Sequence, residues 1–318
     1  MSTFIITGAA GFIGSNLCHE LSNQGHTLWA VDNLLTGNRD NLADLLDSSR
    51  FHFIQADICD PKTFNTLPKN ADGIFHLASP ASPVQYANYP METLMVNSQG
   101  TKLVLVFAQK TNAKRVVFTS TSEVYGDPLE HPQKEIYWGN VNSFGPRSCY
   151  DEAKRFAEAL CYTFIHKHGV DIKIARLFNT YGPNMERNDG RVISNFIVQS
   201  LSKKPITIHG DGKQTRSFCY VTDTVNALIT MMQTSSSKLI FNIGNPNEQS
   251  ILDIALLIQK MTHTTSSIVH KPAVEDDPRR RKPDITRAKH ELSWQPTITI
   301  TKGLEKTILY FTQKFYTE

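Results

Sequence analysis

The chain has 318 residues and a formal net charge of +3, with 40% hydrophobic and 20% charged residues. This composition is ordinary for a globular protein, and the charge is too weak to predict binding to nucleic acid or to a membrane surface. No apolar run reaches the roughly 20 residues that a membrane-spanning helix needs. The five cysteines lack the paired spacing of a disulfide framework or a zinc site, so we expect a cytoplasmic protein without a metal.

The first half of the chain alternates short runs of β-branched and aromatic residues with longer amphipathic stretches. The predicted strands are residues 4–7, 27–31, 51–55, 73–77, 115–120 and 172–177. Helical periodicity is clearest over residues 14–24 and 97–110. This alternation predicts an α/β fold in which a doubly wound, parallel sheet of the Rossmann type is covered by helices on both faces.

The second half has a different character. From about residue 180 onward, turns rich in Gly, Pro and Asn separate shorter elements. We therefore predict that residues 1–180 form a dinucleotide-binding domain, to which residues 217–245 return. Residues 181–216 and 246–318 are predicted to form a smaller C-terminal α/β lobe that binds the substrate.

A glycine-rich turn, Thr7-Gly8-Ala9-Ala10-Gly11-Phe12-Ile13-Gly14, follows the first predicted strand and begins a helix. Glycine permits a tight turn and lets backbone N–H groups approach a pyrophosphate, whose negative charge a helix N-terminus favours. Eighteen residues after Gly14 comes Val31-Asp32-Asn33, at the end of the second predicted strand. An acidic side chain there can accept both ribose hydroxyls and would repel the 2′-phosphate of NADP, so NAD is the expected cofactor.

Further residues after the strands are predicted to complete the NAD site. They are Thr36, Gly37, Asp57, Ile58, Leu77, Ala78, Ser79, Asn97 and Thr119, in addition to Gly8, Gly11, Phe12, Ile13, Gly14, Asp32 and Asn33.

The segment Tyr150-Asp151-Glu152-Ala153-Lys154 opens a run of helical periodicity, which puts Tyr150 and Lys154 one turn apart on the same face. A free tyrosine has a pKa near 10 and is a poor base at neutral pH. A lysine ammonium and the positive charge of a nicotinamide would stabilise the phenolate. The spacing therefore predicts that Tyr150 is the catalytic base, that Lys154 supports it, and that both contact NAD.

Longer motifs accompany this pair. They are residues 77–83 (LASPASP), 121–128 (TSEVYGDP), 131–133 (HPQ), 145–152 (GPRSCYDE), 178–183 (FNTYGP), 189–197 (DGRVISNFI), 212–218 (GKQTRSF), 276–278 (DDP) and 281–284 (RKPD). With these motifs the chain resembles the extended short-chain dehydrogenase/reductases that modify nucleotide sugars, and among them the UDP-glucuronate decarboxylases. The resemblance covers nearly the whole chain and implies an enzyme that uses NAD and UDP-glucuronate.

The residues after the fifth predicted strand separate the reactions of this family. Ser122-Glu123 stands where the resembling 4,6-dehydratases carry Asp-Glu. Expelling water requires an acid on the leaving hydroxyl, which serine does not supply. Oxidation at C4 turns the C6 carboxylate of UDP-glucuronate into a β-keto acid, which loses carbon dioxide without such an acid. We therefore expect formation of UDP-xylose, with a UDP-sugar 4-epimerase or a 4,6-dehydratase as the alternative.

The resemblance also implies residue roles. Thr121 and Tyr150 would donate hydrogen bonds to the 4-oxygen. Glu123 and Arg216 would lie near the carboxylate and C5, where an anionic Glu123 would push the carboxylate to leave. Arg281 is expected to reach the UDP diphosphate. The other expected substrate contacts are Pro83, Tyr86, Asn179, Arg191, Val192, Asn195, Gln214 and Ser217.

The Tyr150 helix has apolar residues on more than one face, including Phe156, Leu160 and Ile165. This is more than a one-sided surface helix needs. We therefore expect a homodimer, joined through a four-helix bundle of this helix and the helix predicted over residues 97–110. The family resemblance points the same way.

Overall fold

The computed structural model describes residues 1–273 and 280–317. Of the motifs named above, residues 276–278 therefore lie outside the described residues, as does Arg279. No helix in the part of the chain that is described is long and apolar enough to cross a membrane.

The strands follow the predicted runs closely in the first half of the chain. They are, in chain order, β1 (Thr3–Thr7), β2 (Thr27–Asp32), β3 (Phe51–Gln55), β4 (Gly73–His76), β5 (Val116–Thr121), β6 (Ile172–Leu177), β7 (Thr180–Tyr181), β8 (Ile206–His209), β9 (Thr215–Ser217), β10 (Cys219–Tyr220), β11 (Ile240–Ile243), β12 (Glu248–Ser250), β13 (Ile268–Lys271) and β14 (Arg280–Arg281).

The largest sheet has seven strands in the order β11-β6-β5-β4-β1-β2-β3, and every pair is parallel. Side chains of β1 alternate between its two faces, with Phe4 and Ile6 in one hydrophobic core and Ile5 in another. Both faces are therefore buried, as a sheet with helices on both sides requires. The predicted Rossmann-type fold is confirmed.

The helices connect these strands and cover the sheet. They are α1 (Phe12–Asn23), α2 (Pro83–Asn88), α3 (Pro90–Met95), α4 (Thr101–Thr111), α5 (Ser148–His168), α6 (Val192–Leu201), α7 (Val221–Gln233), α8 (Ile251–Met261), α9 (Thr286–Leu292) and α10 (Ile300–Thr317). The helix predicted from residue 97 differs in detail, because a π-helical turn, Val96–Gly100, precedes α4.

The second half of the chain adds small sheets beside the large one. One has the order β12-β9-β14, a second pairs β13 with β8, and a third pairs β10 with β7. Strand β11 lies at the edge of the large sheet, parallel to β6. Because β14 pairs with β9, Arg281 lies beside Arg216. This pairing brings distant parts of the sequence to one side of the cleft described next.

Candidate active site

A cleft of about 1390 Å³ lies where the large parallel sheet meets the small sheets of the second half. The carboxyl ends of β1, β2, β4, β5 and β6 contribute to its wall, which is where doubly wound sheets bind ligands. Most of the residues singled out in the sequence line it. They are Gly8, Gly11, Phe12, Ile13, Gly14, Asp32, Asn33, Thr36, Gly37, Asp57, Ile58, Leu77, Ala78, Ser79, Pro83, Tyr86, Thr119, Thr121, Glu123, Tyr150, Lys154, Asn179, Arg191, Val192, Asn195, Gln214, Arg216 and Arg281.

The glycine turn after β1 forms a close backbone cradle. A Cβ atom on Gly14 would lie 2.0 Å from the carbonyl oxygen of Gly8, and one on Gly8 would lie 2.7 Å from the amide nitrogen of Ala78. Gly8 also has a φ of +72°, which favours glycine. Side chains are therefore excluded at Gly8 and Gly14, so the turn can pack closely at the start of α1 and leave backbone N–H groups to meet a pyrophosphate. The cradle fits NAD.

Asp32 lies almost buried at the end of β2, beside this cradle. Its carboxylate accepts hydrogen bonds from the backbone N–H groups of Ala10 and Leu34, at 2.9 and 2.8 Å. Burial raises the pKa of Asp32, and these backbone donors oppose that rise. A carboxylate has about four lone-pair sites, so the two backbone donors leave acceptor capacity for ribose hydroxyls. The two backbone hydrogen bonds thus fix the orientation of the Asp32 carboxylate, and its contact with the ribose of NAD stays a prediction.

Tyr150 and Lys154 lie one turn apart on α5, and both are buried. Lys154 Nζ donates to the carbonyl oxygen of Thr119 at 3.0 Å and lies 6.0 Å from the centroid of the Tyr150 ring. Burial raises the pKa of Tyr150, while a hydrogen bond with Thr121 opposes the rise. Burial also lowers the pKa of Lys154 to about 7. Burial thus disfavours the phenolate of Tyr150, and positive charge close to the phenol would favour it.

Glu123 occupies the short helical turn Ser122–Tyr125 that follows β5. One of its carboxylate oxygens pairs with Arg147 and the other with Arg281. Burial alone would raise the pKa of Glu123, but the guanidinium groups of Arg281 and Arg147 outweigh burial and lower the pKa to about 2. We call Glu123, Arg147 and Arg281 the Glu123 cluster. It carries one carboxylate and two guanidinium groups, so its net charge is positive.

This arrangement bears on two expectations about charge, which stay predictions. An anionic Glu123 was expected to repel the substrate carboxylate, but two arginines neutralise its charge. Arg281 was expected at the UDP diphosphate, whereas the structure pairs its guanidinium with Glu123 and with the carbonyl oxygen of Gly126, at 3.0 Å for the latter. Arg216, its neighbour across β9 and β14, is buried and donates to the carbonyl oxygen of Thr215 at 2.9 Å.

Two predicted contact residues lie behind the cleft wall rather than on it. Asn97 is buried in the π-helical turn, and its Nδ2 donates to Ser79 Oγ at 2.9 Å. Ser217 is buried, and its Oγ donates to the carbonyl oxygen of Arg281 at 3.3 Å. Each side chain therefore holds a residue that lines the cleft, Ser79 or Arg281, and its own contact with NAD or substrate stays a prediction.

Sequence reasoning missed Arg147 as a site residue. Arg147 immediately precedes α5, and its Cζ lies 5.9 Å from the centroid of the Tyr86 ring. The Tyr86 ring stacks on the Tyr150 ring, with centroids 5.0 Å apart and an interplanar angle of 10°. Arg147 and Tyr150 are three residues apart at the N-terminus of α5, and residues with this spacing share one side of a helix. This spacing could have indicated that Arg147 lies near the site.

Comparisons with known proteins agree with this geometry. Residues 4–244 match the model of the NAD dependent epimerase/dehydratase family. UDP-glucuronic acid decarboxylase 1 of Arabidopsis thaliana is 46% identical over 314 residues, covering 99% of this chain and 71% of that protein. The same-named protein of Danio rerio is 46% identical over 310 residues, covering 98% and 72%. A solved structure of UDP-glucuronic acid 4-epimerase from Bacillus cereus, in complex with UDP-glucuronic acid and NAD, superposes with a TM-score of 0.88 at 28% identity, covering 98% of this chain and 99% of that one. The chain therefore belongs to the NAD dependent epimerase/dehydratase family, as its resemblance to the extended short-chain dehydrogenase/reductases implied.

Proposed function

We propose that the protein converts UDP-glucuronate to UDP-xylose with NAD as a recycled cofactor. The observation that carries the proposal is the Glu123 cluster beside Tyr150. Its net positive charge would suit the carboxylate of a uronic acid. Glu123 also follows Ser122, which is buried and cannot serve as the acid of a dehydration. The curated relatives at 46% identity are UDP-glucuronic acid decarboxylases, which supports the same reaction.

Bound NAD supplies a hydride acceptor for C4 of the sugar and a hydride donor for the same carbon afterwards. Tyr150 would take the proton of the 4-hydroxyl, and Thr121, whose side chain already bonds to Tyr150, would donate to the 4-oxygen. Lys154 holds its ammonium close to the phenol through the carbonyl oxygen of Thr119. The chain thus provides the proton transfer at O4 and the donors that stabilise negative charge there.

The C6 carboxylate becomes a β-keto acid when C4 is a ketone, so its loss needs no leaving-group acid. What it needs is stabilisation of the enolate and a proton at C5. Glu123 and Arg216 are the groups that we propose near C5 and the carboxylate. The cluster arginines would position the carboxylate by charge-assisted hydrogen bonds. Arg147 and Arg281 screen Glu123 and keep it ionised, so it does not itself carry a proton to C5. Its part is to orient a water molecule that protonates C5, rather than to repel the substrate.

The second candidate is a UDP-sugar 4-epimerase. The solved structure of the Bacillus cereus 4-epimerase, whose printed ligand is UDP-glucuronic acid, favours it because that enzyme shares the fold and the sugar class. Identity to this protein is 28%, against 46% for the decarboxylases. An epimerase must also let the 4-keto sugar rotate in the cleft, so that its other face is reduced. Two arginines that hold the substrate carboxylate would oppose this rotation.

Incubation with NAD and UDP-glucuronate labelled at C6 separates these candidates. A decarboxylase releases labelled carbon dioxide, and mass analysis finds a UDP-pentose. An epimerase releases no label and leaves the mass of the nucleotide sugar unchanged. Tyr150→Phe is the matched control, because it removes the proposed base and keeps the ring that stacks on Tyr86. Retention of the label by the wild-type protein would overturn the proposal.

We also propose a homodimer through α4 and α5, as the helical patterns predicted. Phe156 on α5 is 52% exposed, and Met95 at the end of α3, which packs against α5, is 40% exposed. Large apolar side chains on adjoining helices suit a symmetric interface. Light scattering at micromolar concentration should give twice the mass of 35.8 kDa, and the variant Phe156→Glu should shift it toward the monomer. A monomeric wild-type protein would contradict this.

The proposed compartment is the cytoplasm. Cys18, Cys59, Cys149, Cys161 and Cys219 are all free thiols in the structure, which suits a reducing environment. Fractionation of cells that express the tagged protein checks this, and recovery from an oxidising compartment would count against it.

A further inference from the structure

The buried side chain of Gln133 lies between the Glu123 cluster and the second half of the chain. It belongs to the HPQ motif, to which the proposed reaction assigns no role. Its Oε1 accepts from the backbone N–H of Lys282 at 2.8 Å, and its Nε2 donates to the carbonyl oxygen of Glu130 at 2.7 Å. A fully buried amide whose donor and acceptor are both used fixes the two segments that it joins.

The backbone of Gln133 adds to the same attachment. Its N–H donates to the carbonyl oxygen of Lys282 at 2.9 Å, and its carbonyl oxygen accepts from the N–H of Asp284 at 2.8 Å. Asn242 Nδ2 donates to the carbonyl oxygens of both Gln133 and Asp284, at 3.0 and 3.1 Å. Residues 282–284 are therefore bound from several directions, and the residue immediately before them is Arg281.

Asn242 also connects this attachment to the turn that carries Glu123. Its Oδ1 accepts from Tyr125 Oη at 2.7 Å, and Tyr125 ends the turn Ser122–Tyr125. Both partners of the Glu123–Arg281 ion pair are thus held by one buried hydrogen-bond network. On its other edge, the backbone of Arg281 pairs with Arg216 in β9. Neither Gln133 nor Asn242 lines the cleft.

We propose that Gln133 is a positioning residue, which holds Arg281 in register so that its guanidinium meets Glu123. This inference rests on the proposed function, because the expected fall in kcat refers to the proposed reaction at the same site. A displacement of about 1 Å at a catalytic group can cost about 10²-fold in rate. Loss of the Lys282 contact should therefore lower kcat at least tenfold. It should also raise KM for UDP-glucuronate, because Arg281 is one of the arginines proposed to position the substrate carboxylate, while affinity for NAD stays unchanged.

A double-mutant cycle tests the inference. The cycle combines Gln133→Ala with Arg281→Lys and measures kcat and the unfolding midpoint in denaturant. If Gln133 acts through Arg281, the alanine substitution costs tenfold or more in the wild-type background but less than threefold beside Arg281→Lys. Additive losses would overturn the proposal. The near-isosteric Gln133→Met, which fills the same space but offers no acceptor to the Lys282 N–H, replaces the alanine variant if that one does not fold.

Gln259→Ala is the control. It removes a side-chain bond to the carbonyl oxygen of Ser266, at 2.8 Å, on α8 and away from the cleft. Its effect should be additive with Arg281→Lys. If the wild-type protein releases no carbon dioxide from UDP-glucuronate, the proposed function fails. The unfolding cycle still decides whether Gln133 and Arg281 are coupled, because it needs no turnover.

Discussion

The two ends of the cleft are built in opposite ways. The glycine cradle comes from eight consecutive residues, Thr7 to Gly14, whose own backbone conformation creates the space for a phosphate. The Glu123 cluster takes one residue each from three distant segments, and its Glu123–Arg281 pair joins residues 158 positions apart. The first site exists wherever the local chain folds correctly. The second exists only when the whole molecule is assembled, so the two should respond differently to substitution.

The largest expected effect falls on the chemistry between these two ends. Tyr150→Phe removes the hydroxyl that would take the C4 proton while it keeps the ring packed on Tyr86. General-base catalysis contributes about 10²–10⁴-fold, so turnover should fall by at least this factor. Single-turnover absorbance of NADH should show no cofactor reduction. Normal reduction by this variant would exclude Tyr150 as the base.

Glu123→Gln breaks the Glu123 cluster and leaves the cradle intact. The amide keeps the size of the side chain but removes the charge that pairs with Arg147 and Arg281. Steady-state release of carbon dioxide should slow about 10²-fold, because the cofactor is not regenerated until C5 is protonated, while NAD affinity stays within about twofold of wild type. Reduced cofactor should accumulate in a single turnover, because oxidation at C4 precedes the affected step. Release at the wild-type rate would remove Glu123 from the mechanism.

Gly14→Ala breaks the cradle and leaves the Glu123 cluster intact. Its Cβ would lie 2.0 Å from the Gly8 carbonyl oxygen, and overpacking of this kind costs about 1–3 kcal/mol. NAD should bind about 10- to 100-fold more weakly in a fluorescence titration. The matched variant Gly11→Ala places its Cβ 3.3 Å from the same oxygen, so its loss should be clearly smaller. If both variants lose the same affinity for NAD, the close approach of Gly14 to the Gly8 carbonyl oxygen is not the cause of the weaker binding.

The smallest effect concerns Asp151, whose carboxylate lies 3.8 Å from Arg147 Nε. Burial raises the pKa of Asp151 from 3.8 to about 7, and the charge of Glu123 adds to the rise. The folded protein then holds a proton that the unfolded chain has lost, so stability decreases as pH rises from about 4 to 7. Asp151→Asn has no carboxyl group to titrate at this position, so it removes this decrease in stability with rising pH.

Calorimetry therefore should show the Tm of Asp151→Asn improving relative to wild type as pH increases from 5 to about 7, by a few degrees. Glu305→Gln, which changes an exposed carboxylate on α10, is the control and should show no such trend. A Tm difference for Asp151→Asn that stays constant with pH would contradict the assignment.

Sequence reasoning succeeded where the signal is local. The strand runs, the glycine turn and the Tyr150–Lys154 spacing each depend on residues within a few positions of one another, and their structures match within one or two residues. The π-helical turn Val96–Gly100 was not predicted, because its apolar pattern resembles that of an ordinary α-helix. Asn97 and Ser217 were assigned to the cleft because a sequence pattern does not show which way a buried side chain faces.

The ion pairs of the Glu123 cluster could not be predicted in the same way. Arg147 and Arg281 are 24 and 158 positions from Glu123, and many arginines of the chain lie at comparable separations. Choosing between them needs the register of β14 on β9, which no local pattern supplies. Arg281 was assigned to the diphosphate as one arginine of a basic run, and that assignment stays a prediction. In the structure its guanidinium pairs with Glu123.

The attachment of residues 282–284 to Gln133 has a consequence for the time course of folding. The Gln133–Lys282 bond closes a loop of 149 residues, and contacts so far apart in sequence form late because closing the loop costs entropy first. During synthesis, the cradle and most of the parallel sheet emerge from the ribosome long before Arg281 does. We therefore expect a nascent chain to gain affinity for NAD well before it gains turnover, so that a partly made molecule holds its cofactor without consuming substrate.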